Sequence, residues 1–248
     1  MKLSVIIPAY KEEQAIVGTI RSLRKVLDTL PYKKEIIVVV DGSPDKTAER
    51  AQSVECDYLK VLTYTPNRGK GYAIYYGVKH SEGDIVTFFD AGGDFHPDHI
   101  DRFVKLMEAF DADMVIGSKR HPASRVNYPK SRRFFSWGWQ QLIKLLFRLD
   151  VTDTQTGLKV IKRTVLEKVM PRAVVKQYAF DLELMVIAKK LGYKRIFEAP
   201  VNMEFNPTGG GAANARAIWK MFVDMLGIWY RLRFLHYYDK DHFELVGK

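Results

Sequence analysis

The stretch EIIVVVDGSPDKT, residues 35–47, runs from an unbroken apolar segment, Ile36 to Val40, into Asp41-Gly42 and then into Ser43, Asp45 and Thr47. A β-branched run with no polar interruption is the signature of a parallel strand buried on both faces. Asp-Gly is turn chemistry, and Ser43 or Asp45 supplies a cap for a following helix. Working outward, the same grammar recurs at LSVIIP (3–8), LKVLTY (59–64), DIVTFF (84–89) and DMVIGS (113–118). All but 59–64 are nearly continuous apolar runs. Between the first two strands, Ile16, Ile20, Leu23, Leu27 and Leu30 recur at helical spacing and predict one buried stripe. Segments 43–55, 70–82 and 97–111 are long enough for further helical crossovers. The alternation predicts an α/β fold with a doubly wound, Rossmann-like, right-handed and mostly parallel sheet.

Ligands of such sheets bind beyond the carboxyl ends of the strands. The five predicted tips are PAYKEE (8–13), DGSPDKT (41–47), TPNRGKG (65–71), DAGGDFHPD (90–98) and KRHPASR (119–125), and every one is polar. Asp41 at its strand end is suited to accept hydrogen bonds from a base or ribose, or simply to close a turn. NRGKG precedes a helix start, where backbone amides and Lys70 suit a diphosphate, although a tight turn explains the same residues. It lacks P-loop spacing. The fourth tip holds Asp90, Asp94 and Asp98, but Gly92 stands where a compact carboxylate clamp wants an acid.

Composition narrows the class. The 248 residues are 47% hydrophobic, enough for a sizeable core. The single cysteine, Cys56, excludes a disulfide framework and fits a reducing compartment. The opening MKLSVIIPAY has no long apolar region of a signal peptide, and no uninterrupted apolar run approaches the ~20 residues that span a bilayer. The net charge of +10 implies an anionic partner: nucleotide, phospholipid surface or nucleic acid. Cations concentrate from Lys119 to Leu149, among them Arg120, Arg125, Arg132, Arg133 and Arg148, with no acid in that span. They interleave with Trp137, Trp139, Leu142, Leu145 and Leu146 on an amphipathic stretch (136–149). FDLELMVIAKKLG (180–192) predicts a helix closed by Gly192, and 194–205 another strand. After PTGGG (207–211), residues 217–238 predict a long helix, lying in a membrane interface or packed on the domain or a second copy as a homo-oligomer. No aromatic signature of RNA binding is present, so nucleic acid is not an expected partner.

IPAYKEE, VVDGSPDKT, NRGKG, FFDAG and DTQTGLK (153–159), with AFDLEL, together resemble the inverting family 2 glycosyltransferases of the GT-A fold. Within that family the resemblance is to the dolichyl-phosphate mannose and glucose synthases, over residues 3–205. It implies a glycosyltransferase domain at 1–206, with a nucleotide-sugar half (1–118) and an acceptor half (119–206). C-terminal amphipathic helices of the membrane interface would follow at 207–248. It implies that Pro8, Ala9, Tyr10 and Glu12 line the nucleotide pocket and that Asp41, Lys70, Asp90 and Ala91 bind the nucleotide sugar. Asp90 would be the first acid of a DXD-type signature, holding Mg²⁺ or Mn²⁺ with Asp94. The missing acid at Gly92 implies weaker metal affinity and a larger share for Lys70, Lys119 and Arg120.

The same resemblance implies a polyprenyl-phosphate acceptor, oriented by Arg120 and by Arg132 or Arg133. It places Asp153 and Asp181 near the acceptor as catalytic candidates. Were the acceptor a sugar hydroxyl, Asp181 would be the first choice of base. A nucleotide-binding module without activity is the remaining alternative. His96 and His99 are expected at the surface or behind the ligands. The expected donor is GDP-mannose, narrowly ahead of UDP-glucose. The expected location is the cytoplasmic face of a membrane.

Overall fold

Both faces of the Ile36–Val40 run are buried in the computed structural model. Strand β2 (Lys33–Asp41) lies between β1 (Lys2–Ala9) and β3 (Leu59–Tyr64), parallel to each, and Ile36 to Val40 are at most 3% exposed. The structure describes residues 1–93, 95–126, 130–203 and 215–242, with the side chains of 130–136 and 215–217 outside that description. Strand β4 (Ile85–Phe88) joins the opposite side of β1, also parallel. The chain therefore builds outward from β1 through β2 to β3 and returns to the other side of β1. That reversal opens a crevice at the carboxyl ends of β1 and β4.

Beyond β4 the expected mostly parallel sheet holds, with one antiparallel strand inserted. Strand β5 (Met114–Ser118) does not pair with β4; strand β7 (Lys159–Lys162) is inserted between them, antiparallel to both. Strand β8 (Ile196–Pro200) completes the order β3-β2-β1-β4-β7-β5-β8, parallel to β5. The inserted strand is four residues long with lysine at each end, so apolar patterning does not reveal it. Because two antiparallel steps restore direction, β5 still points its carboxyl end to the same edge as β4. The predicted strand at 194–205 divides: β9 (Asn202–Met203) leaves the main sheet to pair with β6 (Arg125–Val126).

Alternation along each strand sorts the core into two layers. Val5, Ile7, Val38 and Val40 pack under α1 (Ile16–Leu27), α2 (Thr47–Gln52) and α4 (Asp98–Ala109). Ile6, Ile37, Val39 and Phe88 pack on the other face with α3 (Lys70–Lys79), α5 (Lys130–Phe147), α6 (Arg163–Val169) and α7 (Phe180–Lys190). Helix α7 is buried from Phe180 to Ala188 without interruption, and it ends before Gly192, whose φ of +91° suits a residue without Cβ.

The predicted helix at 217–238 is shorter than expected. Helix α8 (Ala215–Arg233) stops, His236 turns left-handed, and a 3₁₀ turn follows at Tyr237–Asp239. Met225 and Ile228 are buried in the layer containing α7, while Trp219, Val223, Leu226, Tyr230 and Phe234 are exposed. No described helix is long and apolar enough to cross a membrane. The C-terminal segment is tied down by buried Glu183, which accepts hydrogen bonds from the Tyr238 hydroxyl at 2.7 Å and from the Val174 and Val175 amides at 2.8 and 2.7 Å. Burial raises the Glu183 pKa, and these donors together with Arg231 offset only part of that rise.

Candidate active site

The tips of β1 and β2 are latched together before either can meet a ligand. Pro8 is half-buried and Ala9 buried at the end of β1, whereas Tyr10 stands 43% exposed at the rim. The next three amides donate across to the second tip: Lys11 to Ser43 Oγ (2.8 Å), Glu12 to Thr47 Oγ1 (2.9 Å) and Glu13 to Asp45 Oδ2 (3.3 Å). Asp45 in turn accepts from the Ser43 and Thr47 hydroxyls at 2.6 Å each. Burial pushes its carboxyl up, but the bonds from Ser43, Thr47 and Glu13 outweigh it and bring the pKa from 3.8 down to about 2. A depressed carboxylate stabilises the fold above its unfolded pKa and loses that contribution as pH falls through the folded value. Asp45→Asn should therefore weaken the acid sensitivity of unfolding between pH 4 and pH 2, an effect of order one proton, read from urea midpoints across that range.

Asp41 is only 3% exposed, with its carboxylate turned to the neighbouring loop. Its carboxylate accepts from the amides of Arg68 (2.7 Å) and Gly69 (2.8 Å) and from Asn67 Nδ2 (3.0 Å). It clamps the NRGKG loop, which is the turn-closing reading of this residue. The same bonds engage amides of the loop expected beside a diphosphate. Arg68 and Gly69 spend their N–H groups on Asp41, and Gly71 donates to the Lys176 carbonyl at 2.9 Å.

Lys70 leads into a run of alternating charges. Its Nζ lies 2.7 Å from Asp90 Oδ1 and 4.0 Å from Asp181 Oδ2, while Lys159 Nζ donates to Asp181 Oδ1 at 2.6 Å. Lys159 is completely buried, and it also donates to the Thr156 carbonyl. For Asp90, burial raises the pKa, yet Lys70 foremost, then Lys159 and Lys119, overcome it and leave the pKa below that of a free carboxyl. Gly157 fixes where this carboxylate sits. A Cβ there would meet Asp90 Oδ2, Cγ and Oδ1, all inside the 3.0 Å that real Cβ atoms respect. The 90–93 turn is held from the other side by Thr19, whose hydroxyl donates to the Ala91 carbonyl at 2.7 Å.

The two acids expected beside an acceptor are both committed. Asp153 is buried and accepts from the amides of Lys119 (3.0 Å) and Gln155 (3.2 Å), with Lys119 Nζ at 3.8 Å. It shapes the junction of the 119 tip and the DTQTG turn. Asp181 is buried and ion-paired with Lys159 at 2.6 Å. Arg120 lies at the same tip, its amide donating to Ser118 Oγ at 3.3 Å. Arg132 and Arg133 fall on α5, but their side chains lie outside the described residues, as does all of Asp94. His96 is exposed beside Asp98 at 3.1 Å. His99 is buried, and its Nε2 accepts from the Asn202 amide at 3.1 Å.

Two positions of DTQTGLK have no role assigned from sequence: Gly157 and Lys159. The available signal is a lysine heading the apolar segment Val160-Ile161, since a lysine that enters a core must be paired. In the same turn, the Thr154 and Thr156 hydroxyls and Gln155 Nε2 are buried without a hydrogen-bond partner among the described residues.

A divalent cation fits the Asp90 end of this arrangement. The donor is an ionised carboxylate oxygen of the kind hard cations take, and a cation, the Lys70 ammonium, already sits on it. A Cβ at Gly92 would meet nothing within 4 Å, so the position lost to glycine is open. Among the described residues, which leave out Asp94, no three His, Cys, Asp or Glu side chains form a cage.

The glycosyl transferase family 2 model matches residues 4–170. Among curated proteins, a dolichyl-phosphate beta-glucosyltransferase of Trichomonas vaginalis is 34% identical over 244 residues, covering 91% of this chain and 72% of that protein. A second from the same organism is 30% identical over 236 residues, covering 90% and 69%. Among solved structures, glucosyl-3-phosphoglycerate synthase of Mycobacterium tuberculosis superposes with a TM-score of 0.67 at 22% identity, covering 91% of this chain and 78% of that one. At that identity the likeness concerns the fold.

Proposed function

The chain belongs to glycosyl transferase family 2 and is a hexosyltransferase of the GT-A fold, and from that premise we propose that it moves glucose from UDP-glucose to a dolichyl or other polyprenyl phosphate. The preference for glucose over the narrowly expected mannose follows from the two relatives named dolichyl-phosphate beta-glucosyltransferases.

The observation that carries the acceptor half of the reading is the state of the acids. Asp181 is closed by Lys159 at 2.6 Å, Asp90 by Lys70 at 2.7 Å, and Asp153 by backbone amides. A carboxylate already paired with lysine is a poor base for a neutral hydroxyl. A phosphate acceptor arrives ionised and needs none. Its oxygen attacks C1 of the hexose as the C1–O bond to the β-phosphate breaks, and the nucleoside diphosphate leaves with the electron pair. No proton changes hands, and one displacement inverts C1. The role of Arg120 is to orient the acceptor phosphate, and that of Lys70 and Lys119 is to offset the negative charge that grows on the leaving group. A divalent ion held by Asp90 would supply the same stabilisation to the diphosphate oxygens. Tyr10, Glu12 and the latched β1 tip border the nucleotide, while Asp41 acts through the loop that carries Lys70.

The exposed stripe of α8, with Lys220 and Arg233 on the same helix, suits a membrane surface where a polyprenyl chain emerges. Transfer is tested with radiolabelled UDP-glucose and GDP-mannose and a polyprenyl phosphate. Label extracted into organic solvent from UDP-glucose is the expected result. Label from GDP-mannose alone reverses the donor, and none from either removes the reading. Gly92→Asp is expected to tighten Mn²⁺ binding about tenfold by adding a carboxylate in open space, measured by electron paramagnetic resonance; unchanged affinity would tell against Asp90 as the metal's ligand.

A further inference from the structure

We propose that Glu183 is a positioning residue for transfer, joining the C-terminal segment to the turn that carries Lys70. This rests on reading Lys70 as a cation that offsets charge on the leaving group. Glu183 is completely buried on α7 and is held from two sides. Its Oε1 accepts from the Tyr238 hydroxyl at 2.7 Å, with the Arg231 guanidinium at 3.5 Å, and Arg231 Nε donates to the same hydroxyl at 3.1 Å. Its Oε2 accepts from the Val174 and Val175 amides at 2.8 and 2.7 Å. One carboxylate therefore fastens the end of α8 and the 3₁₀ turn to the segment that follows α6. Bonds in such a buried network reinforce one another, so losing a donor at one oxygen loosens those at the other.

That segment is pressed against the NRGKG turn. The Gly71 amide donates to the Lys176 carbonyl at 2.9 Å. A Cβ at Gly69 would fall within 3.0 Å of the same carbonyl, and one at Gly71 would lie 2.8 Å from the Val175 carbonyl and 2.7 Å from Phe180 Cβ. Backbone meets backbone at both glycines, so a shift of Val175 or Lys176 carries residues 69–71 with it. Lys70 stands between the two glycines, and its ammonium lies 2.7 Å from Asp90. The C-terminal segment has further anchors of its own. The Tyr238 carbonyl accepts from Arg172 Nε at 3.1 Å, and the His242 amide donates to the Pro171 carbonyl at 2.9 Å. Removing the Tyr238 hydroxyl therefore leaves that segment in place and tests the Glu183 link alone.

The experiment is amide hydrogen exchange on the full chain, read residue by residue by nuclear magnetic resonance, beside steady-state transfer from UDP-glucose to a polyprenyl phosphate. In Tyr238→Phe the Gly71, Val174 and Val175 amides are expected to exchange about tenfold faster, the weight of one hydrogen bond to a charged acceptor. The Val38 amide in the middle of β2 should keep its protection. Turnover should fall about tenfold while KM for UDP-glucose stays within about twofold, because Lys70 acts on charge that grows in the transition state. Glu183→Gln keeps the shape, loses the charge and should change both readouts in the same direction. If it does not fold, Tyr238→Phe decides alone. Parent-like exchange at Gly71 in Tyr238→Phe overturns the link, as does an equal acceleration at Val38, which marks loosening of the whole chain. Faster exchange at Gly71 with parent-like turnover overturns the positioning role. A parent that transfers no hexose from either donor removes the reading of the reaction and the positioning role with it, and the exchange rates still decide whether Glu183 holds the turn.

Discussion

Replacing Gly157 by alanine is expected to lower turnover about a hundredfold or more while leaving the chain folded. The added methyl would occupy space held by the Asp90 carboxylate, closer than 3.0 Å to three of its atoms. The turn lies between β7 and the tip of β4, and neither backbone has freedom to retreat, because β7 is hydrogen-bonded to β4 on one side and β5 on the other. The carboxylate must rotate away, and with it goes its bond to Lys70. Displacement of a site group by about 1 Å is enough to cost ~10²-fold in rate. The check is turnover with UDP-glucose alongside Mn²⁺ binding. Both should fall, with circular dichroism and the unfolding midpoint little changed. Parent-like turnover would show that Asp90 is not required where the structure holds it.

The largest effect on stability is expected from Lys159→Met. Lys159 is completely buried in β7, and its partner Asp181 is nearly so on α7. Removing one member of a buried pair leaves the other charge uncompensated, a loss of about 3–5 kcal/mol. Urea unfolding should report that loss directly. Taking away both members, as in Lys159→Met with Asp181→Leu, should recover much of the stability, since buried pairs are often no better than apolar packing. Activity should not recover with it, because the Asp181 carboxylate that Lys70 faces at 4.0 Å is gone. If the single variant lost less than about 1 kcal/mol, the pair would not be the buried, fully desolvated one described.

Much of the architecture was legible because hydrophobic burial has a period. Ile36 to Val40, the run at 3–8 and the run at 84–89 declare strands buried on two faces, and the helical recurrence from Ile16 to Leu27 declares the first crossover. Strand β7 was not legible. Its register is set by pairing with two strands remote in sequence, and its first residue is a lysine whose burial depends on Asp181, 22 positions later. The extent of the last helix was equally hidden, since nothing local marks His236 as the place where the chain turns left-handed.

For the site, residue types and strand tips brought Lys70, Asp90 and Arg120 into consideration, because charge at a strand's carboxyl end is informative by itself, while Asp181 entered through the family resemblance. What each acid does was decided only by the folded chain. Asp41, Asp153 and Asp181 look alike in sequence, each an aspartate beside a turn or helix start. In the structure Asp41 clamps a loop through two amides, Asp153 shapes a junction, and Asp181 pairs with a buried lysine. A carboxylate is free to act only if its neighbours leave it unsatisfied, and those neighbours come from segments tens of residues away. Sequence by itself determined the α/β alternation, the polar edge and the family. Tertiary structure decided which charges meet, because pairing depends on distances of a few ångströms that no local pattern encodes.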